Sequence, residues 1–168
     1  LDAAQRGMKV ALFEKGDFAS GTSSKSTKLV HGGLRYLKQL EFSLVKEVGL
    51  ERAIVHRNAR HLVVAEKMIL PIIKNGSLNK FFTNIALWVY DFLAGVEKEE
   101  KRRMLNKKET IKEEPLLFGK GKELIGAGLY YEYRTDDARL TIEVMKKAHE
   151  LGVYCFNYAM VNNFSYEN

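Results

Sequence analysis

A short apolar strand that runs into a long Gly-, Ser- and Thr-rich loop is the feature that most restricts the fold of this chain. Residues 8–13, MKVALF, predict a buried parallel strand that ends at Glu14, and the loop KGDFASGTSSKSTK follows. In dinucleotide-binding βαβ units, the second strand ends in an acidic residue that binds a ribose hydroxyl. The pattern fits such a unit, although many other strands also end in Glu, so further motifs have to decide.

The segment at residues 20–37, SGTSSKSTKLVHGGLRYL, continues this loop and carries several groups suited to ligand binding. Its hydroxyls and backbone N–H groups suit the cradling of a pyrophosphate. The glycines at 32–33 allow the backbone to approach a flat ring, because glycine has no Cβ. Arg35 and Tyr36 then offer a cation and a phenol to an anionic substrate. A polar loop with ordinary turn glycines would explain the same residues.

Composition narrows the class of protein. A chain of 168 residues that is 46% hydrophobic and 29% charged is sufficient for one domain or one and a half. The net charge of +6 is compatible with a solvated surface, an anionic ligand or an anionic membrane surface. No dense Lys/Arg run with interleaved aromatics occurs, which disfavours nucleic-acid binding. The single cysteine, Cys155, indicates neither a disulfide framework nor a metal site, so we expect a reducing compartment.

The rest of the chain alternates between helical and strand-like patterns, which predicts a mixed α and β order. The expected elements are a helix at 43–58 capped by Ser43, a strand at 61–72 closed by Pro71, a helix at 78–93, an exposed charged loop at 96–103, a short helix from Asn106 or Lys107 to Pro115, a strand at 125–133, a helix from Asp136 or Asp137 to Leu151, and two strands around Asn162 and Asn163. The helix at 78–93 should carry Phe82, Ile85, Ala86, Val89 and Leu93 on one apolar face. The apolar run at 81–94 is too short to span a bilayer.

Three segments of the sequence resemble the FAD-dependent glycerol-3-phosphate dehydrogenases and the related glycerol-3-phosphate oxidases. They are residues 13–47, 87–95 and 130–152, and the block SSKSTKLVHGGLRYL is specific to that family. The resemblance implies an α/β fold, with part of a Rossmann-like FAD-binding domain and a partial substrate or cap domain. Such proteins are two-domain flavoproteins of the glutathione-reductase or D-amino-acid-oxidase type.

The resemblance also implies a domain organisation. Residues 1–60 would be a segment of the FAD-binding domain without its GxGxxG strand–turn, which we expect to precede this chain. Residues 61–135 would belong to the cap, and residues 136–168 would return to the FAD-binding domain. The family's substrate cap also has further basic residues that the chain does not contain, so we expect the isolated segment to be inactive.

Individual site residues follow from the same resemblance. Glu14 matches the acid that binds the adenosine ribose. The other residues that would contact FAD are Thr22, Ser23, Ser24, Ser26, Lys28, Leu29, His31, Gly32 and Gly33. Three residues would act on the substrate: Arg35 orients it, Tyr36 donates a hydrogen bond, and His31 is the one candidate base in the chain. Asp136, Asp137 and Arg139 match a DDARL signature, which we interpret as a helix cap and an ion pair. No metal ligand is expected.

The implied reaction is oxidation of sn-glycerol 3-phosphate at C2 to dihydroxyacetone phosphate, with FAD as cofactor and a quinone as electron acceptor. The protein would be cytoplasmic, with peripheral attachment to the inner face of the cell membrane as an additional possibility. Oxygen as the acceptor, the identity of the base and the oligomeric state stay open.

Two other functions are compatible with the sequence. One is a flavin-dependent amine or amino-acid oxidase or dehydrogenase of the same architecture, which would need an Arg that binds a carboxylate. The other is a non-enzymatic domain that uses the basic excess and the apolar helix at 78–93 to bind a membrane surface or a partner protein. A full-length protein without flavin absorbance would favour the second alternative.

Overall fold

The computed structural model describes residues 1–31, 33–37, 39–120 and 123–166, except for the side chains of Arg35 and Lys120. The chain forms two compact units. Unit 1 contains Leu1–Lys28 and Thr135–Asn168, and unit 2 contains Leu29–Arg134. The predicted division into domain segments at 1–60, 61–135 and 136–168 stays a prediction for the whole protein. The first stretch of unit 1 ends at Lys28, whereas the first predicted segment extends to residue 60.

The described residues contain six α-helices and six β-strands. The helices are α1 (Asp2–Gln5), α2 (Leu34–Leu37), α3 (Phe42–Asn58), α4 (Lys80–Leu93), α5 (Lys107–Glu113) and α6 (Asp137–Glu150). The strands are β1 (Ala11–Phe13), β2 (Leu29–Val30), β3 (Val64–Ile73), β4 (Arg103–Asn106), β5 (Leu124–Arg134) and β6 (Tyr154–Phe156). Short 3₁₀ segments lie at Thr22–Ser24, Lys98–Glu100 and Pro115–Lys120.

Unit 1 is built on a parallel strand pair. Strand β1 pairs with β6, with Leu12 opposite Cys155. The rings of Phe13 and Phe156 stack with centroids 5.2 Å apart. Helix α6 begins at an Asp136 N-cap, whose carboxylate accepts a hydrogen bond from the backbone N–H of Arg139, and Gly152 lies just beyond its end. The predicted cap and stop of this helix are therefore confirmed.

Unit 2 is organised around β5, which is the central strand of an antiparallel sheet. Strand β3 pairs with β5 along nearly its whole length, while the short strands β2 and β4 also pair with it. Helices α3 and α4 pack beside the sheet, and Val45, Tyr90 and Ala94 form a buried cluster between them. A second buried cluster, of Leu105, Ala127 and Leu129, joins β4 to β5.

Two expectations about strands are wrong. Strand β1 is exposed rather than buried, because within the described residues its sheet has only one other strand and no layer covers it. Strand β3 is not closed by Pro71 but continues to Ile73. Among the described residues β3 pairs only with β5, so Pro71 can lie in an edge strand, where its missing N–H costs no ladder hydrogen bond.

The apolar face predicted for the helix at 78–93 is not the face that the helix buries. Helix α4 buries Thr83, Leu87 and Tyr90, whereas Phe82 is 69% and Ile85 is 42% exposed. Large apolar side chains occur at both exposed and buried positions of this helix, so the sequence pattern does not single out the face that packs against the sheet.

Three further differences concern element ends. Ser43 is not the cap of α3, because the helix already begins at Phe42. Its N-cap is Glu41, whose side chain makes no capping hydrogen bond. The charged segment at 96–103 is not a loop throughout, since it contains a 3₁₀ turn and the first residue of β4. Only the first of the two strands expected after Gly152 is present, and the described residues beyond Phe156 form no strand.

No helix in the described ranges has both the length and the apolar character needed to cross a bilayer.

Candidate functional site

Glu14 directly follows β1 in unit 1 and shapes the start of the loop. Its carboxylate oxygen Oε1 accepts a hydrogen bond from the backbone N–H of Gly16 at 2.8 Å. Its other oxygen, Oε2, makes no hydrogen bond to any described residue, and the side chain is half-buried. One oxygen therefore holds the turn, while the other is left to accept a hydrogen bond from a ligand.

The Ser- and Thr-rich loop after Glu14 is compact. Thr22, Ser23 and Ser24 form a 3₁₀ turn, and the Ser24 hydroxyl donates a hydrogen bond to the carbonyl oxygen of Ala19 at 2.6 Å. The Ser23 hydroxyl lies 3.4 Å from the Thr141 hydroxyl of α6. The Thr22 hydroxyl has no hydrogen-bond partner within the described part of the chain and is exposed. Two of the three hydroxyls in this turn therefore have partners within unit 1, and the third, that of Thr22, is exposed to solvent.

The end of the loop is tied to the beginning of α6. The Lys28 ammonium pairs with Asp136 at 3.0 Å, and the Ser26 hydroxyl donates a hydrogen bond to Asp137. The carbonyl oxygen of Lys28 accepts a hydrogen bond from the backbone N–H of Thr135 at 2.9 Å. The capping bond from the backbone N–H of Arg139, together with the Lys28 ammonium, lowers the pKa of the Asp136 carboxyl. The side chains of Lys28 and Ser26, both predicted to bind the cofactor, therefore already have partners inside unit 1.

In unit 2 the remaining predicted residues lie on β2, α2 and the segment between them. Leu29 is in β2, opposite Arg134 of β5, and His31 is exposed just beyond this strand. Gly33 is buried, with a φ of +77°, and a Cβ at this position would lie 2.7 Å from the Tyr36 ring. Only glycine fits here, because both the backbone conformation and the contact with Tyr36 exclude a side chain.

Tyr36 lies in α2 and packs against the cluster of Val45, Tyr90 and Ala94. Gly32 and the side chain of Arg35 lie outside the described residues. Their predicted roles beside the flavin and the substrate therefore stay predictions, as do those of His31 and Tyr36.

A buried charge cluster in unit 2 was not anticipated from the sequence. Arg52 of α3 is 2% exposed, and its Nη1 donates hydrogen bonds to the Tyr90 hydroxyl at 2.8 Å and to Glu132 at 3.3 Å. The Tyr90 hydroxyl also donates to the Glu132 carboxylate at 3.1 Å. Burial raises the pKa of the Tyr90 phenol, which keeps it protonated and able to donate. A signal was present: Arg52 lies three and seven residues after the buried Gly49 and Val45, on the inner face of the helix.

Two tyrosines of β5 lie next to this cluster. Burial raises the pKa of Tyr133 to about 12 and that of Tyr130 to about 12 as well. The Arg52 guanidinium carbon lies 4.8 Å from the centre of the Tyr133 ring, a cation–π contact. These phenols stay neutral, so the cluster carries one positive and one negative side chain.

Unit 2 also contains an apolar cavity of about 570 Å³. Its wall includes Leu34 and Leu37 of α2, Leu70 of β3, and Phe82 and Leu87 of α4. Among the described residues, no group of three or more His, Cys, Asp or Glu side chains is arranged to hold a metal ion.

Comparison with known proteins is consistent with these features. The aerobic glycerol-3-phosphate dehydrogenase of Bacillus subtilis is 60% identical over 167 residues, which cover 99% of this chain and 30% of that protein. The chain thus spans about a third of the length of that relative. A crystal structure of the glycerol-3-phosphate dehydrogenase from Bacillus halodurans complexed with FAD superposes with a TM-score of 0.68 at 42% identity, covering 99% of this chain and 25% of that one.

Glycine oxidase from Bacillus cereus shares the fold alone, with a TM-score of 0.57 at 22% identity over 99% of this chain and 45% of that one. Together with the likeness to the dehydrogenase complexed with FAD, this likeness confirms the predicted α/β flavoprotein fold. The family of FAD dependent oxidoreductases matches residues 1–168, the entire length of the chain. The chain therefore belongs to the FAD dependent oxidoreductase family, as the resemblance of residues 13–47, 87–95 and 130–152 had implied.

Proposed function

We propose that the full-length protein containing this chain oxidises sn-glycerol 3-phosphate at C2 to dihydroxyacetone phosphate, with FAD as its cofactor. The observation that carries the proposal is the 60% identity to an aerobic glycerol-3-phosphate dehydrogenase over 99% of the chain. The likeness to glycine oxidase stands at 22% identity and supports only a shared fold. We therefore place an amine or amino-acid substrate second.

The residues of unit 1 fit the adenosine end of FAD. An oxygen of Glu14 without a partner among the described residues can accept a hydrogen bond from a ribose hydroxyl, which is a donor. The exposed Thr22 hydroxyl adds a donor suited to phosphate oxygens. Bound FAD supplies a two-electron acceptor for the hydride at C2 of the substrate.

The substrate end of the site rests on the family resemblance. We propose that Arg35 orients the substrate phosphate, because a guanidinium offers several donors in a fixed fork. Tyr36 would donate a hydrogen bond to the substrate, and His31 would accept the proton of the C2 hydroxyl. His31 suits this role because a neutral imidazole has a ring nitrogen that can accept a proton.

We further propose a quinone as electron acceptor and a peripheral attachment to the inner face of the cell membrane. An exposed aromatic surface on α4 supports the attachment: Phe81, Phe82, Trp88 and Phe92 are 67%, 69%, 55% and 76% exposed. Aromatic side chains of this kind insert at the lipid–water boundary. In cell fractionation, mild detergent or salt should release the protein from membranes. Recovery from the soluble fraction without either treatment would count against attachment.

The proposed reaction is tested by turnover of the purified full-length protein. We expect glycerol 3-phosphate to yield dihydroxyacetone phosphate with a soluble quinone as acceptor, and slower turnover with oxygen alone. Glycine and proline serve as control substrates. Turnover of either amino acid without turnover of glycerol 3-phosphate would support the amine-oxidase alternative, and a protein that carries no flavin would support a non-enzymatic role.

We also propose that the isolated 168-residue chain is colourless and inactive, because no G-x-G-x-x-G turn occurs within it. A visible absorption spectrum of the purified segment tests this. Equimolar bound flavin would contradict it.

A further inference from the structure

We infer that the N-terminus of α6 anchors the Ser26–Lys28 segment in its cofactor-binding conformation, so that Ser26 and Lys28 are positioning residues rather than direct contacts of FAD. The inference rests on the proposed FAD site. It revises the prediction that both side chains contact the cofactor. Three separate bonds between the segment and the helix start carry it.

The Lys28 side chain is already engaged. Its ammonium lies 3.0 Å from Asp136, and its backbone N–H donates a hydrogen bond to the Ser26 hydroxyl oxygen at 3.1 Å. A lysine paired with a carboxylate is a weaker partner for a cofactor phosphate, because the carboxylate offsets the charge of the ammonium and repels the phosphate. The pair therefore favours an anchoring role.

The Ser26 side chain is engaged in the same manner. Its hydroxyl hydrogen is donated to the Asp137 carboxylate, while its oxygen accepts the bond from the Lys28 backbone. The single donor of a hydroxyl is thus used within unit 1. At the start of α6, Asp136 therefore binds the side chain of Lys28, and Asp137 binds that of Ser26.

The backbone of the segment requires such an anchor. Lys28 has a φ of +62°, a conformation that is uncommon for any residue with a Cβ other than Asn or Asp. Strained backbone of this kind persists where the surroundings hold it. Here the holding bonds are the ion pair to Asp136 and the bond from the Thr135 N–H to the Lys28 carbonyl oxygen at 2.9 Å.

The inference predicts that breaking the anchor weakens FAD binding even though neither aspartate touches the cofactor. Thr22 and Ser23 lie six and five residues before Lys28 in the same loop, so release of the end of the loop allows its donors to move away from the phosphates. Asp136→Asn is the sharpest variant. Asparagine caps a helix about as well as aspartate, so the substitution removes the ion pair and keeps the start of α6.

A double-mutant cycle on the full-length apoprotein separates anchoring from direct contact. FAD is titrated into the parent, Asp136→Asn, Lys28→Met and the double variant, and thermal midpoints of the apoproteins are recorded. We expect each single variant to weaken FAD binding by about tenfold, and the double variant to be no weaker than either single one, because both remove the same pair. Lys28→Arg should bind FAD as the parent does.

Additive losses, with the double variant weakened by about a hundredfold, would show that Lys28 and Asp136 act on FAD binding independently and would overturn the inference. Unchanged FAD affinity in Asp136→Asn would overturn it too, as would lower thermal midpoints with unaltered affinity, which indicate a purely structural pair. A parent protein that binds no FAD would instead refute the proposed function.

Discussion

Glu14 divides its carboxylate between the turn that follows β1 and the ribose that we propose it binds. We predict that Glu14→Gln weakens FAD binding by about 1–3 kcal/mol, the scale of a charge-assisted hydrogen bond. Glutamine retains an amide oxygen to accept the bond from the Gly16 N–H, so the turn should persist. The measurement is an FAD titration of the full-length apoprotein.

Glu14→Ala serves as the matched control, since it removes both interactions. It should lower the thermal midpoint of the apoprotein, whereas Glu14→Gln should not. Unchanged FAD affinity in the glutamine variant would remove Glu14 from the cofactor site.

Arg35 tests the substrate end of the site at the same scale. We predict that Arg35→Lys lowers kcat/KM for glycerol 3-phosphate by about ten- to a thousandfold, because lysine keeps the charge but loses the fork of donors. FAD content and thermal midpoint should stay at the values of the parent. Loss of flavin, with normal turnover by the remaining holoenzyme, would show that Arg35 is a structural residue.

The buried pair of Arg52 and Glu132 stabilises unit 2 only as a pair. We predict that Glu132→Gln lowers the free energy of unfolding by about 3 kcal/mol, because it leaves the guanidinium buried without its counter-charge. Urea denaturation of the full-length protein measures the change. The control is Glu66→Gln, whose ion pair with Arg134 is exposed and should contribute less than about 1 kcal/mol. Equal effects of the two substitutions would contradict the role of burial.

Gly49 of α3 packs closely against Ala94, the C-cap of α4. A Cβ at this position would lie 2.5 Å from the Cα of Ala94, a backbone atom that cannot move aside. We therefore predict that Gly49→Ala destabilises the protein by about 1–3 kcal/mol, the scale of an overpacked core. Gly119→Ala is the control, because no described atom lies within 4 Å of its added Cβ. A thermal midpoint of Gly49→Ala equal to that of the control would show that the helices can separate without cost.

At this scale the sequence predicts the capping side chains of two helices but not the buried face of α4. The caps of α5 and α6 were predictable because Asn106 and Asp136 accept bonds from backbone N–H groups three residues ahead, which is a local interaction. The buried face of α4 was not predictable, because Phe82 and Leu87 are equally apolar and only the packing of the sheet selects between them. The position of Arg52 on the inner face of α3 is visible in the sequence. Its pairing with Glu132 is not, because the two residues lie 80 positions apart.

For the whole molecule, the two compact units meet along the chain at 28–29 and 134–135. Lys28 and Thr135 lie at these junctions and are joined by a backbone hydrogen bond inside unit 1. A long-range bond of this kind leaves no trace in local periodicity, so the sequence could not indicate it. The family resemblance and the Ser-rich loop were recognisable, because they depend on contiguous residues.

The most direct measurement of the proposed activity is anaerobic reduction of the flavin in the full-length protein. Addition of glycerol 3-phosphate should abolish the absorbance bands of oxidised flavin and form an equimolar amount of dihydroxyacetone phosphate, while glycine and proline should leave the spectrum unchanged. A spectrum that glycerol 3-phosphate does not alter, or one that an amino acid bleaches instead, would contradict the proposed function.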